Sequence, residues 1–473
     1  MRLNDPKIAV CVVYVAAMFM NGMDATIVNV ALPAIGDEFA VAPSATSAIN
    51  VGYLVSLAVC IPMSGWLGDR FGTKKVFLGA FGAFVLASAL CGAAQDITQL
   101  TAARVLQGAG GGVLSPVALT MLFRAYPPQE RIRLSGVLVI PTAIAPALGP
   151  VLGGLFVEHL TWRWGFFVNV PVGVLALIYG AVKLTEHVES VHKRFDVLGF
   201  ALAAPGLGLL MYALDTVSAH GFTSPQFLVC GVAGLLCLLV LVLAQLRTRQ
   251  PMLDVRLFAD ASFRRASLIL AFCVAGFLGT LYGFTLMYQS GMGASAQETG
   301  LVTLPKAIGL MLASRAVTWA HPKLGPRVLI ALAMLGAAVS FAAMNLVTGP
   351  VSASVVQFTS GFFVGAGSIE LQVVAFATIS ATATGGASTL FNVQRQVGSA
   401  LGVAVTAGVL AIGGAGAHGS LGAYHAAMLV SAGFALVGVL IALRIKTPSE
   451  PRSDAVTGAG SGSGAGPVPA GRN

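Results

Sequence analysis

Residues 65–75 read Gly-Trp-Leu-Gly-Asp-Arg-Phe-Gly-Thr-Lys-Lys. A long apolar segment runs into this stretch from residue 45 to 67, and another leaves it from 76 to 94. A short loop with three cations (Arg70, Lys74, Lys75) and one carboxylate (Asp69) between two runs of membrane length belongs at a membrane face. The excess of Lys and Arg assigns that face to the cytoplasm. Gly65, Gly68 and Gly72 permit close backbone approach, and Asp69 and Arg70 are placed to lock neighbouring helices together.

Composition carries the same message to the whole chain. Of 473 residues, 56% are hydrophobic and 10% charged, with a mean hydropathy of +0.85. A water-soluble protein averages about 25% charged residues. The apolar runs are continuous and about 20 residues long, without the short alternation of barrel strands, so the expectation is an all-α polytopic membrane protein. The net charge of +9 does not point to nucleic acid, because the basic residues cluster in alternate loops, where they set topology. The six cysteines fall inside apolar runs with no metal-ligand spacing, and neither a metal nor a cofactor is expected. The first apolar run is too long and too polar for a cleavable signal peptide.

Fourteen spans are expected. Six lie at 8–31, 45–67, 76–94, 98–122, 134–157 and 165–184, two more at 197–216 and 226–246, and six at 266–289, 297–318, 326–346, 353–376, 387–411 and 424–444. Lys and Arg follow the even-numbered spans up to the tenth, whereas the loops near 32–44, 95–97, 217–225 and 347–352 contain neither. Both termini are therefore assigned to the cytoplasm. The loop 377–386 carries no charge and gives no orientation. The organisation is a six-helix bundle over 1–190, two extra spans over 191–250, a second six-helix bundle over 251–447 and a Gly/Ser/Pro-rich tail over 448–473 that should be disordered. The extra spans are almost featureless and suit lipid. The segment 248–263 is read as an interfacial helix.

Several polar groups lie where they are expensive. Asp24 and Asn21 are three apart on one face of span 1, and a carboxylate at a helix centre costs about 2.5–3.5 kcal/mol. Arg104 and Gln107 share a face of span 4 and are followed by a glycine run. That run follows no strand and lacks a Gly-Lys-Ser/Thr ending, so it is no phosphate loop. Glu370 lies within span 12 and is a candidate for substrate or proton binding. Tyr53, Tyr282, Phe284, Met287, Tyr288 and Gln289 are candidates for a substrate cavity on helix position. Asp24 and Arg104 fall at similar depth in the outer half of the membrane. No loop is long enough for a soluble catalytic domain, and no nucleophile constellation occurs, so an enzyme is not expected.

The Asp-Arg-Phe-Gly-Thr-Lys-Lys loop resembles the loop between spans two and three of the major facilitator superfamily. The run Met23-Asp-Ala-Thr-Ile-Val-Asn-Val-Ala-Leu-Pro33 resembles the first-span signature of its fourteen-span drug:proton antiporters. Arg104-Val-Leu-Gln-Gly is similar to the family's span-four motif, which implies a role for Arg104 in proton coupling. Gly149-Pro150-Val-Leu-Gly153-Gly154 is similar to the antiporter motif and implies an exporter, with Ala145 where a small upstream position is usually Gly. Arg395-Gln-Val-Gly-Ser-Ala-Leu-Gly402 resembles a further family helix. Near 318–327 the counterpart of the first loop keeps Gly325 but has Pro322 where an Asp would stand.

The resemblance implies a major facilitator fold and a monomeric, proton-coupled exporter of amphipathic drugs in the inner (plasma) membrane. Its partners would be membrane lipids, protons and a small hydrophobic or cationic substrate. Asp24 and Arg104 would act as a coupled pair, and Gly65, Asp69, Arg70, Gly72 and Lys74 as a conformational lock. An exporter of an endogenous lipid or metabolite is the alternative.

Overall fold

The computed structural model describes residues 6–41, 43–126, 130, 145, 148–149, 151–187, 195–380, 382–413 and 421–444. Among them the chain is helical with connecting turns and contains no strand. The helices are α1 (Pro6–Glu38), α2 (Pro43–Cys60), α3 (Met63–Phe71), α4 (Thr73–Ala93), α5 (Ile97–Ala125), α6 (Trp164–Phe167), α7 (Asn169–Lys183), α8 (Val197–His220), α9 (Pro225–Arg247), α10 (Ala261–Leu286), α11 (Ala296–Ala343), α12 (Pro350–Ala375), α13 (Thr384–Ile412) and α14 (Leu421–Ala442). Residues 151–159 are also helical. The sequence marks many of the starts: Asp96, Asp196, Ser224, Asp260 and Ser295 each accept a backbone N–H of the first turn.

Eleven described helices are long and apolar enough to cross a membrane, or twelve when the bent pair α2–α3 counts as one. That pair is bent by 54°. The break falls at Ile61-Pro62, where proline has no N–H to give, and the Ser64 hydroxyl donates to the Ile61 carbonyl at 2.6 Å. Helix α11 holds two of the expected spans in one, divided at Gly325 (φ 71°, ψ 164°) between Pro322 and Pro326. Most of the expected span 134–157 lies outside the described residues, as do Pro150 and the tail 448–473. A total of fourteen is compatible with this arrangement.

The N-terminal helices pack α1 on α5 and α7, and α4 on α5 and α7, around fully buried Phe77, Phe81 and Phe84. The C-terminal helices pack α10 on α13, α14 and α12, with α11 against α12 and α14. At the end bearing the 65–75 loop the two groups touch. There α3 and α5 meet α13, and Phe123 lies 4.5 Å from Phe376 between ring centroids.

The expectation for the two extra spans holds for one of them. Helix α9 exposes Leu235, Leu236, Leu239 and Leu243. Helix α8 instead buries Leu207, Met211 and Leu214 against Ala58 of α2 and Ala404 of α13, so it bridges the two groups. The segment 248–263 is not one surface helix. It folds into a short 3₁₀ turn, Val255–Ala259, before α10 begins, and Arg256 is tied back to the Leu246 and Thr248 carbonyls at 3.0 and 2.8 Å.

Candidate functional site

The carboxylate of Asp24 is fully buried at the centre of a polar cluster between α1, α5, α7 and α2. Helical spacing accounts for the partners. Asn21 and Asp24 lie one turn apart on α1, and Arg104 and Gln107 one turn apart on α5. The glycines after Gln107 then set the distance between backbones. A Cβ at Gly108 would run into the Tyr53 carbonyl oxygen, and one at Gly112 into that of Leu57, so α5 lies directly on α2.

Arg104 Nη1 donates to Asp24 Oδ2, forming a buried ion pair, and also to Gln107 Oε1 at 2.7 Å. Gln107 Nε2 donates to Asp24 Oδ1 at 2.8 Å, and Asn169 Nδ2 reaches the same oxygen at 3.4 Å. The guanidinium carbon lies 4.2 Å from the centre of the Tyr53 ring. The Tyr53 hydroxyl donates to Asn21 Oδ1 at 2.5 Å, and Asn21 in turn donates to Ser115 Oγ at 3.3 Å. A carboxylate, a guanidinium and two primary amides thus share one buried site. Adding or removing one proton there changes which hydrogen bonds can exist.

Of the residues the sequence singles out, Asn21, Asp24, Tyr53, Arg104 and Gln107 are brought together. The sequence reading missed Asn169, which reaches the Asp24 carboxylate, and Ser115, which accepts from Asn21. Asn169 stands in the stretch Trp162-Arg-Trp-Gly-Phe-Phe-Val-Asn169, among tryptophans of the kind that sit at a membrane interface, yet a lone amide opening a span was a usable signal.

Gly149 and Gly153 lie beside the site. A Cβ at Gly149 would collide with Thr26, and one at Gly153 would come 2.9 Å from the Ile27 carbonyl, so both press close to α1 just beyond Asp24. Gly154 faces no neighbour within 4 Å.

The 65–75 loop builds a second cluster, at the end of the bundle. Asp69 accepts from Arg124 Nη2 at 3.3 Å. The same carboxylate faces the first turn of α13, 3.1 Å from where a Cβ of Gly385 would be. Gly65 brings α3 against the same turn, and Ser64 Oγ lies 3.1 Å from Thr389 Oγ1. Arg70 is stacked near the Trp66 and Phe71 rings. Gly72 turns the chain with φ 93°. Glu186 then caps α4 by accepting from the backbone N–H groups of Lys74 and Lys75 at 3.0 and 3.2 Å.

The remaining candidates lie elsewhere. Tyr288 stacks on Phe284 and donates to Glu298 Oε1 at 3.3 Å, in an apolar cluster that Tyr282 also borders; Gln289 follows in the same turn. Glu370 is fully buried, and its Oε1 is 2.7 Å from His321 Nδ1, near the Gly325 break of α11. The structure does not bring these residues to Asp24.

The sequence model of the Major Facilitator Superfamily matches residues 14–403. The chain is 30% identical over 412 residues to the multidrug resistance protein B homolog of Mycobacterium tuberculosis, covering 85% of this chain and 76% of that one. It is 29% identical to the multidrug export protein EmrB of Haemophilus influenzae, covering 82% and 78%. It is 31% identical to the putative multidrug resistance protein MdtD of Pectobacterium carotovorum, covering 83% and 84%. The crystal structure of the human organic anion transporter MFSD10 superposes with a TM-score of 0.69 at 15% identity, over 93% of this chain and all of that one, which shows the shared fold. The chain belongs to the major facilitator superfamily: it is a multi-pass membrane transport protein related to multidrug exporters.

Proposed function

We propose that this member of the superfamily is a proton-coupled exporter of amphipathic drugs or other hydrophobic compounds. It would lie in the inner (plasma) membrane with both termini cytoplasmic and work by alternating access. The names of its multidrug-export relatives support the substrate class, and the loop-charge asymmetry supports the orientation. One observation carries the mechanism: a buried aspartate, Asp24, with an ion pair to Arg104 and amide bonds from Gln107 and Asn169.

A proton entering from outside neutralises Asp24 and removes the charge that holds Arg104. The guanidinium then keeps Gln107 Oε1 and the Tyr53 face, and α1 is released from α5. Because Gly149 and Gly153 press on α1 next to Asp24, that release is transmitted along the antiporter helix. At the cytoplasmic face Asp69 holds α3 and Arg124 against α13, and opening to the inside requires that contact to part. Protonation and substrate then compete for the conformation in which Asp24 is charged, which is the condition for exchange.

The test is proton release from purified protein when substrate binds. The parent should release protons, and Asp24→Asn should not. If Asp24→Asn releases protons like the parent, Asp24 is not the carrier.

A further inference from the structure

The two halves of the chain can be laid on each other by one constant offset in residue number. Tyr53 and Gly108 map onto Lys306 and Gly361, and the packing agrees: a Cβ at Gly108 would strike the Tyr53 carbonyl, and one at Gly361 would strike the Lys306 carbonyl. Gly112 against Leu57 maps onto Gly365 against Leu310, a looser contact in which a Cβ would come 3.0 Å from the Leu310 Cα. Gly72 and Gly325, also equivalent, both take positive φ, at 93° and 71°.

The same offset carries the polar cluster across and changes its charges. Asp24 becomes Phe277, Tyr53 becomes Lys306, Arg104 becomes Gln357 and Gln107 becomes Ser360. Lys306 is only 4% exposed, and its Nζ lies 4.3 Å from the centre of the Phe277 ring. Among the described residues that ammonium has no hydrogen-bond partner and no carboxylate. The amide nitrogen and oxygen of Gln357 and the hydroxyl of Ser360 are also buried without one. In the first half a buried cation is balanced by Asp24. In the second half the position of Asp24 holds a phenyl ring and that of Arg104 an amide, while a lysine stands where Tyr53 was, with no acid beside it among the described residues.

A buried ammonium without an anion is among the costliest groups a membrane protein can hold. The aromatic face offsets part of that cost and supplies no counter-charge. We infer that Lys306, between α10, α11 and α12, is the docking point for the anionic group of an amphipathic organic anion, with Gln357 and Ser360 as further hydrogen-bonding groups. The inference rests on the transporter reading only for the fate of the ligand, since binding can be read without transport or a proton gradient.

The experiment uses the full chain in phosphatidylcholine nanodiscs and two probes of one shape and opposite charge, 1-naphthoate and 1-naphthylmethylammonium, titrated by calorimetry at neutral pH. Naphthoate should bind about tenfold tighter than the ammonium, the scale of one charge-assisted hydrogen bond. Lys306→Gln should lose that preference and Lys306→Arg should keep it. Phe277→Asp gives Lys306 the internal partner that Arg104 already has, and should lose the preference as well. It decides the matter if Lys306→Gln does not fold. Equal binding of both probes to the parent, or naphthoate affinity unchanged in Lys306→Gln and Phe277→Asp, would overturn the proposal. Adding phosphatidylglycerol separates two sources of the anion. Competition with naphthoate that needs Lys306 supports a lipid headgroup at the site, and naphthoate binding without competition supports a free amphiphile. Failure here leaves the Asp24 proton-release result untouched, so the two readings fail separately.

Discussion

The Asp24 cluster and the Lys306 cluster occupy equivalent places in the two halves and rest on the same backbone contacts. Their chemistry differs completely. The first is an ion pair whose carboxylate accepts from two amides, with only Asn169 Oδ1 and Arg104 Nε left without a partner among the described residues, and the second is a lysine amine with aromatic company, no carboxylate and unpaired neighbours. Repetition has preserved the glycines that set helix distance and released the side chains they bring together. A second contrast lies at the end bearing the 65–75 loop. There Asp69 meets Arg124 and the first turn of α13, whereas its equivalent, Pro322, can make no such contact, and the nearby pair is His321 with Glu370. At the centre of the first half the cation has an internal carboxylate, and at the centre of the second the lysine has none among the described residues.

Stability should expose this contrast most strongly. Arg104→Ala leaves Asp24 buried without its cation and should cost about 3–5 kcal/mol, whereas Lys306→Met removes an unpaired charge and should be neutral or stabilising. Unfolding midpoints in detergent check both, and equal losses would break the comparison. The shared scaffold should respond alike in the two halves. Gly108→Ala and Gly361→Ala each force a methyl into a carbonyl oxygen and should each cost about 1–3 kcal/mol. A tolerated Gly361→Ala would show that the second half is not packed as the first.

The end contact should separate rate from affinity. Asp69→Asn should slow transport about tenfold, the scale of a 1–3 kcal/mol coupling, with substrate affinity nearly unchanged. Parallel loss of both would count against a lock.

The smallest effect concerns Glu38, beyond the first span. Partial burial raises its carboxyl, but the Arg163 and Trp162 donors, at 2.6 Å each, outweigh that and hold it below the usual 4.5. A lowered folded value means the contribution is complete above about pH 4.5 and is lost as pH falls further. The pair is partly exposed, so Glu38→Gln should cost less than about 1 kcal/mol, and nothing once the carboxyl is protonated. A pH-stability profile of the variant checks it.

Much of this was legible in the sequence, because membrane insertion leaves few options. Long apolar runs must be helices, and Lys and Arg must gather in loops. The Asp24 partners were legible because a polar residue inside such a run has to find another, and helical spacing limits which. What escaped notice did so for stated reasons. Asn169 sits among tryptophans that mark an interface. Lys306 lies in the run Thr-Leu-Pro-Lys-Ala-Ile-Gly, near enough to a span end to read as ordinary. The role of α8 was hidden because its apolar surface looks the same whether lipid or protein covers it. The span 45–67 was read as continuous, and the break at Pro62, with its bend of 54°, was not anticipated.

In the proposed mechanism Asp24 carries the proton and Arg104 answers to its charge. The direct measurement is proton release on substrate binding by purified protein in weakly buffered detergent, for the parent, Asp24→Asn and Arg104→Ala. Release by the parent and none by Asp24→Asn is the expected result, with Arg104→Ala uncoupled from substrate. Parent-like release from Asp24→Asn would contradict the account and move the search for the carrier to Glu370.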